Sequence, residues 1–183
     1  MTIFKKAKFV RGNNLTFRNA EPADAAFILS LRTNKEKNAY ISPVSDNIDV
    51  QNMWLQKYAS ETDQVYFIIT ANQKSCGTVR LYDAKGTSFC WGSWLLAPGS
   101  PPSYAIESAL MVYSYALKLG FKNSHFDVRH GNKSVWKFHE RFGAIRTNEN
   151  EIDIFYHIDQ KAIELALVKY EKFLSRGICI LDD

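Results

Sequence analysis

The sequence predicts an α/β fold built on a single mixed, mostly antiparallel central sheet. Three observations carry this expectation. Three strand-like segments follow one another between residues 64 and 96 with only short turns between them, which is the pattern of an antiparallel meander. A long helical pattern, Ser103–Leu119, then leads to a further strand-like run, Ser124–Val128, and a strand–helix–strand passage implies a parallel pair joined by a crossover helix. The chain of 183 residues is 46% hydrophobic and 14% aromatic, enough for one domain (1–183) with a substantial core.

The elements follow in order. Leu15–Asn19 reads as a short strand. Pro22 suits a first helical turn, and Ala26, Phe27, Ile28 and Leu31 form an apolar stripe, so Pro22–Arg32 is expected to be a helix. Thr33–Asn47 is polar, contains Pro43, and reads as a loop or broken helix; Asp49 is expected to cap a helix carrying Met53, Trp54, Leu55 and Tyr58. Strands are expected at Gln64–Ala71, at Gly77–Tyr82 after the turn Asn72-Gln73-Lys74, and at Ser88–Leu96 after Lys85-Gly86. Ala97-Pro98-Gly99-Ser100-Pro101-Pro102 is rich in helix and strand breakers. The helix Ser103–Leu119 ends at Gly120, a C′ glycine. Ser124–Val128 is a strand, Lys133–Arg141 a helix closed by Gly143, Glu151–Ile158 an alternating strand, and Asp159–Ser175 a final amphipathic helix.

Composition excludes several classes. The apolar content rules out a disordered chain, a collagen-like repeat and a disulfide-stapled miniprotein. With 23 Lys and Arg against 19 Asp and Glu, the net charge of +4 is mild and forms no long basic run. It suits a small anionic ligand better than nucleic acid. Cys76, Cys90 and Cys179 are odd in number and form no Cys-x-x-Cys pair, which argues against a disulfide framework or zinc site and for reduced thiols. Met1–Val10 lacks the apolar segment of a signal peptide, and no run of about 18 apolar residues occurs. A cytoplasmic, metal-free protein without a membrane or nucleic-acid partner is expected, as a monomer or homodimer.

The segments "LTFRNAEPADAAFILSLRTN", "LRTNKEKNAYIS", "YAIESAL" and "NKSVWKFHERFGA", in this order, resemble the Gcn5-related N-acetyltransferase (GNAT) family over about Leu15–Ile158. "LTFRNAEPADAAFILSLRTN" is similar to family openings with a strand, an arginine (Arg18) and an acidic residue entering the first helix (Asp24). "LRTNKEKNAYIS", with Arg32, Asn34 and Tyr40, resembles the branch that acetylates ribosomal-protein N-termini and amino sugars. "NKSVWKFHERFGA" matches a family segment at Asn132, Phe138, His139, Glu140, Arg141 and Gly143, and "YAIESAL" matches the start of the coenzyme-binding helix. The resemblance implies helices on both faces of the sheet, a splay between the family's fourth and fifth strands, and acetyl-CoA as cosubstrate. Residues 159–183 lie beyond it, where a helix and the tail Ile178–Leu181 cover the sheet or join a dimer.

Two departures from the family pattern stand out. The glycine-bearing loop before the coenzyme helix reads Pro98, Pro101 and Ser103 at the aligned positions; prolines offer no N–H to a pyrophosphate, whereas Gly99, Ser100, Ser103 and Tyr104 still do. Cys90 stands where many relatives carry a glutamate, often a general base, on the preceding strand. The resemblance implies coenzyme contacts at Trp94, Leu95, Gly99, Ser100, Ser103, Tyr104, Asn132 and Lys133, and an acceptor pocket shaped by Arg32, Tyr40 and Trp91. Gly92 reads either as the site of a strand bulge or as a small residue between bulky tryptophans.

For the chemistry, His139 falls where relatives place a proton donor to the leaving thiolate. An imidazolium of pKa ~6.5 is able to protonate a thiolate of pKa ~8.5, and the alternative is a helix-end histidine with no task. Asp83, at a strand end, is the candidate base for the amine, directly or through water. The leading expectation is acetyl transfer to a primary amine of a small molecule such as a nucleotide-linked amino sugar, by direct attack on the thioester. The alternatives are acetylation of a protein N-terminus, or a member of the fold that has lost catalysis and binds a ligand or partner.

Overall fold

The computed structural model describes residues 2–34 and 38–182; Met1, residues 35–37 of the expected loop Thr33–Asn47, and Asp183 lie outside the described residues. Nine strands form one sheet: β1 (Phe9–Arg11), β2 (Leu15–Asn19), β3 (Val65–Ala71), β4 (Lys74–Lys85), β5 (Ser88–Leu96), β6 (Asn123–Arg129), β7 (Ile145–Glu149), β8 (Asp153–Ile158) and β9 (Cys179–Leu181). Their order is β7-β8-β6-β5-β4-β3-β2-β1-β9, and among the described residues β5–β6 is the one parallel pair. Five helices accompany the sheet: α1 (Ala25–Arg32), α2 (Ile48–Ser60), α3 (Pro102–Lys118), α4 (Lys133–Arg141) and α5 (Gln160–Lys169).

The two faces are covered separately. β3 shows how, because its run of β-branched and aromatic residues is buried on both sides. Val65, Phe67 and Ile69 enter the larger core with α3, whereas Tyr66 and Ile68 alternate into a smaller one with Ile28 of α1 and Leu55 and Tyr58 of α2. Arg18 of β2 holds Asp24 with two hydrogen bonds of 3.0 and 2.7 Å, and Asp24 also accepts from the Glu21 N–H, which fixes the entry to α1.

The elements differ from expectation in several places: β1 and β7 have no counterpart among the expected strands, and β4 extends beyond Gly77–Tyr82 at both ends. Pro22–Asp24 is a 3-10 turn ahead of α1 rather than part of it. Asn47, not Asp49, caps α2: its side chain accepts from the Asp49 and Val50 N–H groups, and Asp49 sits in the first turn. The final helix stops at Lys169, followed by a 3-10 turn at Glu171–Phe173. The tail adds β9 to the sheet edge beside β1, so Ile178–Leu181 extends the sheet instead of covering it. Strands β1, β7 and β9 are short or exposed and lack the alternation that marks β8.

Two irregularities position the site. β5 and β6 pair only at Ser88–Asn123 and Phe89–Ser124; beyond Phe89 they separate, and β6 continues along β8 instead. The register of β5 against β4 also shifts between Arg80–Gly92 and Thr78–Leu95, leaving Ser93 and Trp94 outside the ladder. Ser93 adopts φ +47, which accommodates the extra residue. A bulge therefore faces the mouth of a V-shaped opening. Among the described residues, no helix is long and apolar enough to cross a membrane.

Candidate active site

The opening between β5 and β6 is a cavity of about 310 Å³ lined from both strands, from α4, and from the segment after α1. A neighbouring cavity of about 140 Å³ shares Arg32, Arg80 and Ser93 with it and runs toward Trp54 and Tyr66.

One end is apolar. His139 of α4 is 5% exposed and sits among Phe126, Trp91 and Trp94, with ring centroids 4.3, 5.2 and 6.1 Å away. Burial without a charged partner pushes its pKa down to about 3, so the ring is neutral at ordinary pH. Its Nδ1 is buried without a hydrogen-bond partner. The expected imidazolium donor needs a protonated ring, which this burial disfavours. Trp91 lines the cavity but also packs on Tyr113 at 5.6 Å, so it is a core ring as much as a wall. Trp94 donates from Nε1 to Ser108 Oγ at 3.0 Å, which ties the bulge to α3.

The other end is charged. Arg32, at the end of α1, donates to Ser93 Oγ at 3.2 Å and to the Ser42 carbonyl at 3.0 Å, and its Nε is buried without a partner. Arg80 of β4 donates to Gln64 and lies against the Trp54 and Tyr82 rings, at 5.4 and 4.6 Å. Among the described residues neither arginine has an ion-pair partner at salt-bridge distance, whereas Arg129, also at the cavity, is held by Asp153 at 3.2 Å. Tyr40 is half exposed and rests on the backbone of Gly131, where an added Cβ would lie 2.6 Å from the ring. Gly92 is covered by Tyr82, whose hydroxyl would lie 3.1 Å from a Cβ. Its lack of a side chain thus makes room for Tyr82, and the left-handed residue of the bulge is Ser93.

The expected residues therefore fall into three groups. His139, Trp91, Trp94, Asn132, Arg32 and Tyr40 line the cavity together. Asn132 precedes α4, but its side chain does not cap the helix; it accepts from the Ser134 hydroxyl at 3.4 Å. Leu95, Gly99, Ser100, Ser103, Tyr104 and Lys133 lie outside the cavity lining, the first five at the end of β5 and the start of α3. Asp83 is not brought into the cavity. It sits half-exposed at φ +51 on the lower part of β4, bound to Lys85 at 2.7 Å and to His125 Nε2 at 3.2 Å. Those two hydrogen bonds hold its carboxyl below the usual range, Lys85 contributing most, so it is an occupied surface carboxylate. Cys90 is buried, and burial raises its thiol to about 11. The cavity also brings in Arg80, Tyr82, Asp127 and Arg129, which sequence reading did not single out. The signal available for Asp127 was a lone acid between two core residues, Phe126 and Val128, on the strand after the crossover.

The start of α3 retains backbone donors despite its prolines. Ser100 and Tyr104 N–H groups are used, donating to the Ala97 and Pro101 carbonyls at 3.1 and 2.9 Å. The N–H groups of Gly99, at φ +80, and of Ser103 have no partner within the described residues. Two free donors at the N-terminus of a 17-residue helix suit a phosphate.

A splay between β5 and β6 with a bulge on one lip, and a helix that follows β5 with free donors at its start, suit an acyltransferase of the coenzyme-A-dependent type. The chain belongs to the GNAT acetyltransferase family: residues 14–145 match the Acetyltransferase (GNAT) domain. It is thus an acetyl-CoA-dependent acetyltransferase. FdhC, described as a nucleotide-linked sugar GNAT, is 38% identical, with 90% of this chain and 97% of FdhC covered and a TM-score of 0.80. The spermidine N-acetyltransferase of Vibrio cholerae, solved with CoA and spermine, is 19% identical over 82% of this chain and 98% of that one, at a TM-score of 0.72, a likeness of fold alone. Comparison with curated proteins finds no match.

Proposed function

We propose that the enzyme acetylates a primary amine on a small molecule that also carries a diphosphate, of the nucleotide-linked amino-sugar class. The observation that carries this reading is the pair of arginines, Arg32 and Arg80, that face both cavities with no ion-pair partner among the described residues. Two such guanidiniums at a cavity wall favour an anion, by charge-assisted and bidentate contacts. Trp54 and Tyr66 beyond them offer aromatic faces. The description of FdhC as a nucleotide-linked sugar GNAT supports the same class. A polyamine acceptor is disfavoured, because a polycation would meet three arginines and one carboxylate in the main cavity.

Acetyl-CoA supplies a thioester whose carbonyl carbon accepts the amine. Gly99 and Ser103 N–H groups would hold its phosphates, and Asn132 and Trp94 its arm. The unladdered backbone of Ser93 and Trp94 faces the opening and is the source of a hydrogen-bond donor for the carbonyl oxygen. His139, neutral and walled by aromatic rings, excludes water on the thioester side.

The test is an acceptor panel: a nucleoside-diphosphate-linked amino sugar, the same amino sugar without the nucleotide, spermidine, and a peptide with a free N-terminus. Thiol release from acetyl-CoA is followed for each. Highest kcat/KM on the nucleotide-linked sugar is expected. Preference for spermidine or for the peptide would remove the diphosphate reading.

A further inference from the structure

Acetylation of an amine near neutral pH begins from an ammonium, so a group in the cavity must take a proton. The lining offers few candidates. Arg32, Arg80 and Arg129 are cations. Burial raises both the Tyr82 phenol and the Cys90 thiol, so both stay protonated. His139 is a weak base, its pKa pushed down to about 3. Asp127 of β6 is the one carboxylate among the described lining residues.

Its position fits the task. β6 leaves β5 after Ser124, so Asp127 stands on the far lip of the splay, across from Tyr82 and Cys90, and feels both electrostatically. On its other side β8 presents Asp153, and β6 itself presents Arg129. Arg129 is engaged by Asp153, at 3.2 and 3.3 Å, and among the described residues Asp127 has no ion-pair partner within salt-bridge distance. We propose that Asp127 is the general base that deprotonates the acceptor ammonium, a role that rests on the amine-acceptor reading above. In the step, one N–H proton of the ammonium passes to the Asp127 carboxylate. The freed nitrogen lone pair forms the C–N bond to the thioester carbon as the C–S bond breaks. The second proton lost by nitrogen leaves with the thiolate sulfur, giving amide and free thiol, and Asp127 releases its proton to solvent. Asp127 is exposed along β6; partial desolvation and repulsion from Asp153 move its carboxyl upward, against the pull of Arg129, toward the range where a carboxylate accepts a proton more readily.

The experiment compares wild type with Asp127→Asn and Asp127→Glu on the best acceptor of the panel. Asp127→Asn is expected to lower kcat by about a hundredfold, within the usual range for losing a general base. KM for the acceptor and the dissociation constant of acetyl-CoA should stay unchanged. The deficit should shrink as pH rises from 6 to 9, because free amine becomes plentiful, and Asp127→Glu should recover at least part of the rate. Unchanged kcat, or a rise in KM alone at every pH, would overturn the proposal. Carboxyl-labelled NMR of the protein without ligands gives a second readout: a titration of Asp127 at or below the ordinary aspartate value counts against it. If wild type turns over no nucleotide-linked amine, the acceptor reading fails by itself. Asp127 is then judged on another amine of the panel, or on slow hydrolysis of acetyl-CoA with water as the proton source, where equal rates for wild type and Asp127→Asn would sink it.

Discussion

The two ends of the cleft solve different problems with different parts of the chain. At the apolar end Trp91, Phe126 and His139 pack together, and outside the cavity, at the start of α3, the N–H groups of Gly99 and Ser103 have no partner among the described residues. At the acceptor end the groups are charged side chains reaching in from separate elements, Arg32 from α1, Arg80 from β4 and Asp127 from β6. A histidine buried at the first end is neutralised, while two arginines at the second have no ion-pair partner among the described residues. On the proposed reading, one cavity holds a dry wall for the cosubstrate and a charged wall for the acceptor. Substitutions should divide accordingly: changes at one end alter coenzyme binding or stability, and changes at the other alter acceptor choice.

The largest expected effect tests the dry wall. His139 has a folded pKa of about 3 against about 6.5 when unfolded, so between these values the unfolded chain binds more protons. Stability is fully present above pH 6.5 and is lost as pH falls toward 3, by about 1.4 kcal/mol per pH unit. His139→Phe should remove that part of the acid sensitivity. Urea unfolding of both proteins at pH 7 and pH 5 measures it, and equal slopes would mean that His139 protonates freely in the folded state. Next in size is the charged wall. Arg80→Ala should lower kcat/KM for a nucleotide-linked acceptor by about 10–100-fold, the scale of a lost charged hydrogen bond of ~1.5–3 kcal/mol. The same variant should act normally on the free amino sugar and bind acetyl-CoA as wild type does; a uniform loss on both acceptors would place Arg80 in the scaffold.

A smaller effect separates backbone from side chain at α3. Ser103→Ala keeps the N–H and should leave the acetyl-CoA dissociation constant unchanged. Ser103→Asp sets a carboxylate against the phosphates and should raise it by about tenfold, a cost of ~1.4 kcal/mol. Calorimetric titration reads both, and a tight Ser103→Asp complex would mean that the phosphates lie elsewhere.

The sequence made the dry end more legible than the charged one, for physical reasons. The meander, the crossover helix and α4 follow from periodicity and caps, which are local. The bulge was visible only as Gly92, because its left-handed residue is Ser93, and a serine announces no positive φ. Asp83 looked like a base because it ends a strand; only the fold reveals Lys85 and His125 beside it. Arg80 and Asp127 read as ordinary polar positions in strands. They become a site because β5 and β6 part after two paired residues, and no local pattern records a parting of strands.

The smallest prediction probes where the two ends meet. Tyr40 lies two residues before Ser42, whose carbonyl Arg32 holds, and its ring lies on Gly131, between β6 and α4. The ring therefore bridges the acceptor side to the helix that carries His139. Tyr40→Ala should raise the acceptor KM by about threefold with kcat nearly unchanged, since an exposed ring contributes no more than about 1 kcal/mol at such a contact. Gly131→Ala should give the same phenotype from the other partner, because its Cβ would occupy the place of the ring. The two changes remove one contact, so the double variant should be no worse than either alone. Additive losses would mean that Tyr40 and Gly131 act separately and that the bridge contributes nothing to acceptor binding.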